Sequence, residues 1–471
     1  MKRLVRGAVE LSGGALVLAL VLMVFALGGG WVPRVIALAT VAVPVSGVAR
    51  QRRRSRSSFE PELPGRFVLG VEHGSGRAVE LGDVHLAAHG LIVGASGSGK
   101  STTLLRILSE EVARGHPVVA IDLKGSPGFA SSLERAAAEA GRSFRLWTLD
   151  GPSQWNPLAS GNPTELKDKL IATERFTEPH YKRAAERYAQ LALRTMTELD
   201  PERPVTLERV VEMLSPPRLR EAAAGLEPRR REEVAAYVGS LTRDQVSAVR
   251  GLGSRLAIIT ESHTGAFLRH ARDGIDLRRA LTDRQVVLFS LNSASYGQLA
   301  AQIGTLVVQD LVTAAGDRLR AGRSDRAFVA IDEFSALGSD NVMALVARAR
   351  ESGISVFVAT QELIDLDRAA EGLRDQVTGN TGVKIAHRQD VPDSAEAVSR
   401  MAGTFKDWER SFTRGPHGGG STSQRLIDRP FVEPEWIRSL PTGYGVLITK
   451  TPTATARVVH VLPPGRGGVE R

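Results

Sequence analysis

The chain has 471 residues, 42% of them hydrophobic, enough for two or three folded units with a large core, which excludes wholesale disorder. It has no cysteine, so disulfides, thiolate metal sites and cysteine nucleophiles are excluded, and its ten histidines show no metal-ligand spacing. A formal charge of +9 points to a polyanionic partner, nucleic acid or anionic lipid, although part of that basicity is local to the N-terminal flank.

In chain order, Leu11 to Leu27 is an uncharged apolar run close to a minimal membrane span. Gly28-Gly29-Gly30 breaks it, and Val32 to Ala49 is a second apolar stretch carrying only Arg34, near enough to its start to snorkel. Trp31 suits the same interface. Lys2, Arg3 and Arg6 precede the first span, and Arg50, Arg52, Arg53, Arg54 and Arg56 follow the second. Positive residues on both outer flanks predict a two-helix transmembrane hairpin over residues 1–54 with both flanks in the cytoplasm. The competing reading is a signal peptide cleaved after Ala37-Leu38-Ala39, but the arginine cluster is a poor segment to translocate.

Ser55 to Gly65, with Pro61 and Pro64, reads as a linker, and Phe67 to Leu81 as β-rich. Leu91-Ile92-Val93 is a short buried strand; after a glycine loop, Leu104, Leu105, Leu108 and Val112 recur at helical spacing. Pro117 to Asp122 is a second strand, Leu133 to Ala140 a short helix and Phe144 to Leu149 a third strand. From Asn162 to Ala280 helical periodicity persists without a strong strand signal, which predicts an inserted all-α domain. Strands resume at Gln285–Phe289, Ala327–Ile331, Ile354–Ala359 and Val383–Ala386, with helices between them. The alternation predicts an α/β fold with a parallel sheet and helices on both faces. It divides the chain into an anchor (1–54), the first part of a nucleotide-binding domain (55–161), the insertion (162–280) and the second part (281–471). Gly415 to Ser423 reads as a flexible loop.

The loop between the first buried strand and its helix is Gly94-Ala95-Ser96-Gly97-Ser98-Gly99-Lys100-Ser101, the G-x-x-x-x-G-K-S string, with Thr102 following. Glycines let successive N–H groups point at a phosphate, and the helix N-terminus adds partial positive charge. Lys100 would neutralise the β- and γ-phosphates of ATP, and the Ser101 hydroxyl would hold Mg²⁺. Phe328 to Phe334 is an apolar strand delivering Asp332 and Glu333, expected beside the P-loop strand. Asp332 would bind Mg²⁺ and Glu333 would polarise the attacking water. Gln361 ends the next strand, where an amide can sense the γ-phosphate. Arg350 lies on a helix before that strand, expected at the sheet edge facing a neighbouring subunit, where an arginine can stabilise transition-state charge. Arg348 is better read as a solvated surface charge.

The ordered set GASGSGKS, VAIDLKG, FVAIDEF, RESGISVFVATQ and GNTGVKIAHR resembles the TraG/TraD-type coupling proteins of type IV secretion and conjugation, within the FtsK/HerA-like P-loop ATPases. Trp155-Asn156-Pro157-Leu158 and the stretch Leu440 to Leu447 add to the likeness, which runs over roughly residues 85 to 460. The resemblance implies two N-terminal membrane helices, a RecA-like nucleotide-binding domain and an all-α domain inserted within it. It also implies a homo-hexameric ring at the bacterial inner membrane, nucleotide at the subunit interfaces, and DNA or relaxase-bound DNA delivered to a secretion channel. By the same likeness Arg350 takes the place of a trans-acting arginine, with Arg388 second choice. Asp122 and Lys124 take that of a site-supporting D-x-K-G element, and Asn380 and Lys384 join Arg388 in a late motif shared with the DNA pumps. Two other readings remain open: an FtsK-like pump of double-stranded DNA, and a recruitment ATPase for protein effectors that handles no DNA.

Overall fold

A computed structural model describes residues 64–465, except 175, 177, 338 and 415–419. The hairpin anchor expected over residues 1–54 lies outside the described residues. Among these, the helix Ser293–Arg320 is long and apolar enough to cross a membrane, but 78% of its apolar window is buried, so it is a core helix.

The apolar runs become the strands of one sheet. They are β1 (Phe67–Glu72), β2 (Ala78–Leu81), β3 (Gly90–Val93), β4 (Val118–Asp122), β5 (Phe144–Thr148), β6 (Val286–Ser290), β7 (Ala327–Asp332), β8 (Ile354–Thr360), β9 (Val383–Ala386), β12 (Tyr444–Thr449) and β13 (Thr455–Val461). Two further strands, β10 (Thr404–Arg414) and β11 (Gly420–Pro430), pair only with each other. The large sheet has eleven strands in the order β2-β1-β13-β12-β9-β3-β8-β7-β4-β6-β5. From β9 to β5 every pairing is parallel.

Every residue of β3, β4, β6, β7, β8 and β9 is buried, as strands covered on both faces require. Period-2 alternation deals their side chains into two cores. Ile92, Ala120, Phe328 and Phe357 face the helices Lys100–Ala113 and Pro127–Glu139, which contribute Leu104, Leu108, Phe129 and Leu133. Leu91, Val119, Val329 and Val356 face Ser293–Arg320 and Ser339–Ala349, which contribute Ile303, Val307, Leu311 and Val342. Each of the Val, Leu, Ile and Phe side chains among them stabilises the fold by roughly 1.5–3 kcal/mol through burial.

Between β5 and β6 the described residues form helices: Pro163–Ala172, Pro179–Leu199, Leu207–Met213, Pro216–Ala222, Pro228–Gly239, Arg243–Glu261 and Leu277–Thr282, with short 3-10 turns. The expected all-α character is therefore present. Their starts carry local signals: Asn162 with Glu165 and Thr242 with Gln245 form capping boxes, and proline opens several of them. Trp155-Asn156-Pro157-Leu158 ties this region to the helix Ser293–Arg320. The Trp155 indole donates to Asp310 Oδ2 (3.1 Å) while Lys169 Nζ donates to Asp310 Oδ1 (2.7 Å) and Pro157 O (3.0 Å). This buried ion pair is fully satisfied, so removing either partner would strand a charge.

Three expectations need correction. The sheet is mixed, because β12 and β13 are joined by a short turn that forces an antiparallel pair, and β1 and β2 extend the same edge antiparallel. The strand ending in Asp332 does not lie beside the P-loop strand: β8 separates β7 from β3. The β3-helix-β4 crossover passes over two places in the sheet, and the later strands β7 and β8 fill them. Finally, Gly420 to Ser423 belong to β11 and pair with β10 in register from Arg414↔Gly420 to Thr404↔Pro430, since cross-strand bonding overrides the local glycine preference.

Candidate nucleotide site

The parallel strands end together, and their C-terminal ends carry the motif residues to one place. Gly97 (φ +73°) and Gly99 (φ +116°) hold positive φ, where a side chain would be strained. Gly94 is packed so closely that a Cβ would lie 2.5 Å from Ser98 Oγ and 2.6 Å from the Cβ of His387. Ser98 Oγ closes the turn on Ala95 O at 2.7 Å, while Ser96 and Gly97 stand exposed at the rim. Neighbouring strand ends hold the loop: Gly94 N donates to Gln361 O (2.8 Å), Ala95 N to Arg388 O (2.8 Å) and Gly443 N to Ser98 O (2.9 Å).

Lys100 is 4% exposed and its ammonium donates to the carbonyls of Gly94 and Ala95, the latter at 3.2 Å. Burial lowers its pKa from the ordinary lysine value, the charge of Lys124 adds to this, and Glu333, Asp332 and Glu362 oppose it. Ser101 Oγ donates to Asp332 Oδ2 at 2.9 Å; Thr102 is exposed on the same helical turn and joins no such contact. Asp332 is 1% exposed, and its Oδ1 has no hydrogen-bond partner. A buried carboxylate oxygen without a donor, beside a serine hydroxyl, fits an oxygen-seeking cation such as Mg²⁺.

Glu333 takes a left-handed backbone (φ 61°) at the end of β7, uncommon for a non-glycine residue and a feature that clusters at functional sites. There its Oε2 accepts from Gln361 Nε2 at 3.3 Å. Ser101–Asp332 and Gln361–Glu333 are thus two hydrogen-bonded pairs brought together by the adjacent acids at the end of β7. The intervening position of β8 is what delivers Gln361 to Glu333.

Arg350 is not brought there. It follows the helix Ser339–Ala349 at the opposite end of β8, exposed, and its charge acts on His89 at the start of β3. Its expected place at a sheet edge is also wrong, because β8 is interior; the arginine sits at the end of the sheet remote from the P-loop. Arg348 is exposed, as expected of a surface charge. Arg388 is at the P-loop end, paired with Asp390 at 3.0 Å. Lys384 is buried at the far end of β9, donating to Thr381 O at 2.7 Å, and burial together with Lys450 pulls its pKa down to about 7. Asn380 caps its own helix through Gln376 O.

Sequence reasoning missed one contributor and gave another only a supporting place. His387 is fully buried; its Nδ1 meets Tyr444 O (2.8 Å) and its Nε2 meets Thr103 Oγ1 (2.9 Å), so a neutral ring tethers β12 to the P-loop helix. Burial holds its pKa down at about 4, the Tyr444 carbonyl opposes this, and the charge of Lys100 adds to the lowering. The signal was a histidine directly after the short apolar strand Val383–Ala386. The second is Lys124, placed by sequence only as support, which lies 3.7 Å from Asp332 Oδ2 and 3.4 Å from Glu333 Oε2.

This loop, helix and acid-bearing strand define a P-loop fold of the RecA-like kind, joined to an all-α region. The family described as TraM recognition site of TraD and TraG matches residues 326–442, and the FtsK/SpoIIIE family matches residues 50–121. A bacterial conjugative coupling protein structure, TrwB in an unbound form, aligns with a TM-score of 0.62 at 14% identity, covering 85% of this chain and 91% of that one. The plasmid coupling protein TrwB in complex with ADP and Mg²⁺ aligns with a TM-score of 0.59 at 15% identity, covering 86% and 97%. VirB4 of Thermoanaerobacter pseudethanolicus aligns with a TM-score of 0.57 at 15% identity, covering 87% and 99%. No curated protein sequence matches the chain. In sequence over the two matched segments, and in fold over most of its length, the chain resembles the TraG/TraD-type coupling proteins of the FtsK-like P-loop class, as its motifs indicated.

Proposed function

We propose that this protein is a membrane-anchored, ATP-driven translocase that delivers DNA, or DNA bound to a relaxase, to a type IV secretion or conjugation channel. The observation that carries the ATPase reading is the Ser101–Asp332 and Glu333–Gln361 arrangement, with Asp332 Oδ1 left for a cation. Gly94 to Thr102 would cradle the phosphates of ATP; Lys100 would neutralise them, and Ser101 and Asp332 would hold Mg²⁺. The bound ion supplies charge neutralisation at the phosphates. Glu333, backed by Gln361, would orient and polarise the attacking water, and Arg350 would act on the site of a neighbouring subunit in a homo-hexamer. The complex of TrwB with ADP and Mg²⁺ supports the ligand assignment.

The match to a TraM recognition region supports relaxosome proteins as partners, and the basic charge supports DNA. The anchor over residues 1–54, at the bacterial inner membrane with the body in the cytoplasm, rests on the two apolar runs and their arginine flanks. ATP hydrolysis by the full-length chain in detergent, measured without DNA and with single- or double-stranded DNA, tests the proposal. Stimulation by DNA is expected. Hydrolysis indifferent to both DNA forms would favour the protein-effector reading, and stimulation by duplex alone the FtsK-like pump.

A further inference from the structure

Lys124 is placed with more care than a supporting residue needs. It follows β4, where both carboxylate oxygens of Asp122 accept backbone amides, from Lys124 at 3.0 Å and from Ser126 at 2.7 Å. The turn is also pinned against the start of the long helix. Ser293 N donates to Leu123 O at 2.7 Å, and a Cβ on Gly125 (φ +68°) would lie 2.7 Å from Asn292 Cα. The backbone of Lys124 is therefore fixed by groups other than its own side chain, and the ammonium is aimed from that turn at Asp332 and Glu333.

The two lysines of the site divide the work. Lys100 spends its donors on the carbonyls of its own loop, so the cation standing against the paired acids is Lys124. Its contact on Asp332 is to Oδ2, the same oxygen that accepts the Ser101 hydroxyl. A divalent ion taken up at the open Asp332 Oδ1 beside Ser101 would thus share one carboxylate with the Lys124 ammonium, which faces its other oxygen. At 38% exposure the lysine can swing away without unpacking anything, whereas Asp332 at 1% cannot move to meet a second ion elsewhere.

We infer that Lys124 is a tethered counter-ion of Asp332 and Glu333 that competes with Mg²⁺ and so sets how much Mg²⁺ is needed to seat the nucleotide. The inference rests on the nucleotide-binding reading above. The physical ground is like-charge repulsion: an ammonium within about 4 Å of a ligating carboxylate opposes a second cation there, and a neighbouring charge at such range shifts an ionic equilibrium by roughly one to three powers of ten. With the ion seated, the ammonium leaves Asp332 and stays on Glu333.

The test is a Mg²⁺ titration of fluorescent ATP-analogue binding to the full-length protein in detergent, comparing wild type with Lys124→Met, Lys124→Gln and Lys124→Arg. Both neutral variants should lower the half-saturating Mg²⁺ concentration about tenfold, while Lys124→Arg stays near wild type. A half-saturation unchanged or raised in the neutral variants overturns the inference. So does a selective loss of triphosphate over diphosphate binding at saturating Mg²⁺, which would make Lys124 a ligand of the terminal phosphate instead. If wild type binds no nucleotide at any Mg²⁺ concentration, the nucleotide reading itself fails, and that result is distinct from the other two.

Discussion

Replacing Arg350 by alanine separates action within one chain from action between chains. Arg350 precedes β8 and Gln361 follows it, so at about 3.3 Å per residue the strand alone puts roughly 20 Å between the arginine and the Gln361 of its own chain. An exposed charge at that range contributes about 0.2 kcal/mol in water before screening, and the Debye length of about 8 Å at physiological salt reduces that further. Acting only within its own chain, the arginine would change turnover less than about twofold. An arginine supplied to a neighbour's phosphoryl group is worth roughly 10³–10⁵ in rate. We therefore expect Arg350→Ala to bind nucleotide as wild type does while its turnover falls at least about a hundredfold. The assay is steady-state hydrolysis beside fluorescent-nucleotide binding, repeated on mixtures with Lys100→Ala chains. Each mutant alone should be nearly inactive, and the mixture should regain activity, because a ring containing both offers sites with an intact Lys100 and an intact neighbouring Arg350. A drop of less than twofold for the single mutant refutes the reasoning. Failure of rescue in rings shown to be mixed also refutes it and moves attention to Arg388, which already stands at the P-loop end.

Glu333→Gln should keep nucleotide affinity and lose most hydrolysis, whereas Asp332→Ala should weaken Mg²⁺-dependent binding first; indistinguishable binding and turnover in the two variants would undo the assigned roles. His387 and His89, both held near a pKa of about 4 by burial, bind fewer protons folded than unfolded below about pH 6.5. Stability should consequently fall as pH drops from 6.5 toward 4, by up to about 3 kcal/mol for each histidine. Chemical denaturation at several pH values should show a shallower dependence for His387→Gln, and an unaltered slope would count against the burial argument. Removing residues 1–54 should release a soluble protein, and a product that still sediments with membranes in high salt would show the anchor misplaced.

What was legible in the sequence, and what was not, divides by the range of the interactions. Val118 to Asp122 and Ala327 to Asp332 announced themselves because burial on both faces demands unbroken apolar residues, and the glycine string because its backbone demands positive φ at Gly97 and Gly99. The capping residues Asn162 and Thr242, which the sequence reading did not single out, also act within a turn of their own chain. Strand order was not, because nothing local to Phe328–Asp332 says that Ile354–Thr360 will come between it and the P-loop strand. The same blindness put Arg350 at a sheet edge: its distance along the chain from Gln361 fixes which end of β8 it occupies, and says nothing about what lies to either side.

Lys124 was given only a supporting place and His387 was passed over because their partners lie hundreds of residues away, at Asp332 and Glu333 for one and at Thr103 for the other. Yet the order of β3, β8 and β7 that sequence could not supply is what gives Gln361 its contact with Glu333. A glutamine at the end of a strand two places removed would have no such partner. The site depends on that intervening strand. Sliding β8 by a single residue would reverse its side-chain faces, carrying Phe357 out of one core and Val356 out of the other, so burial on both faces of the sheet also holds Gln361 against Glu333.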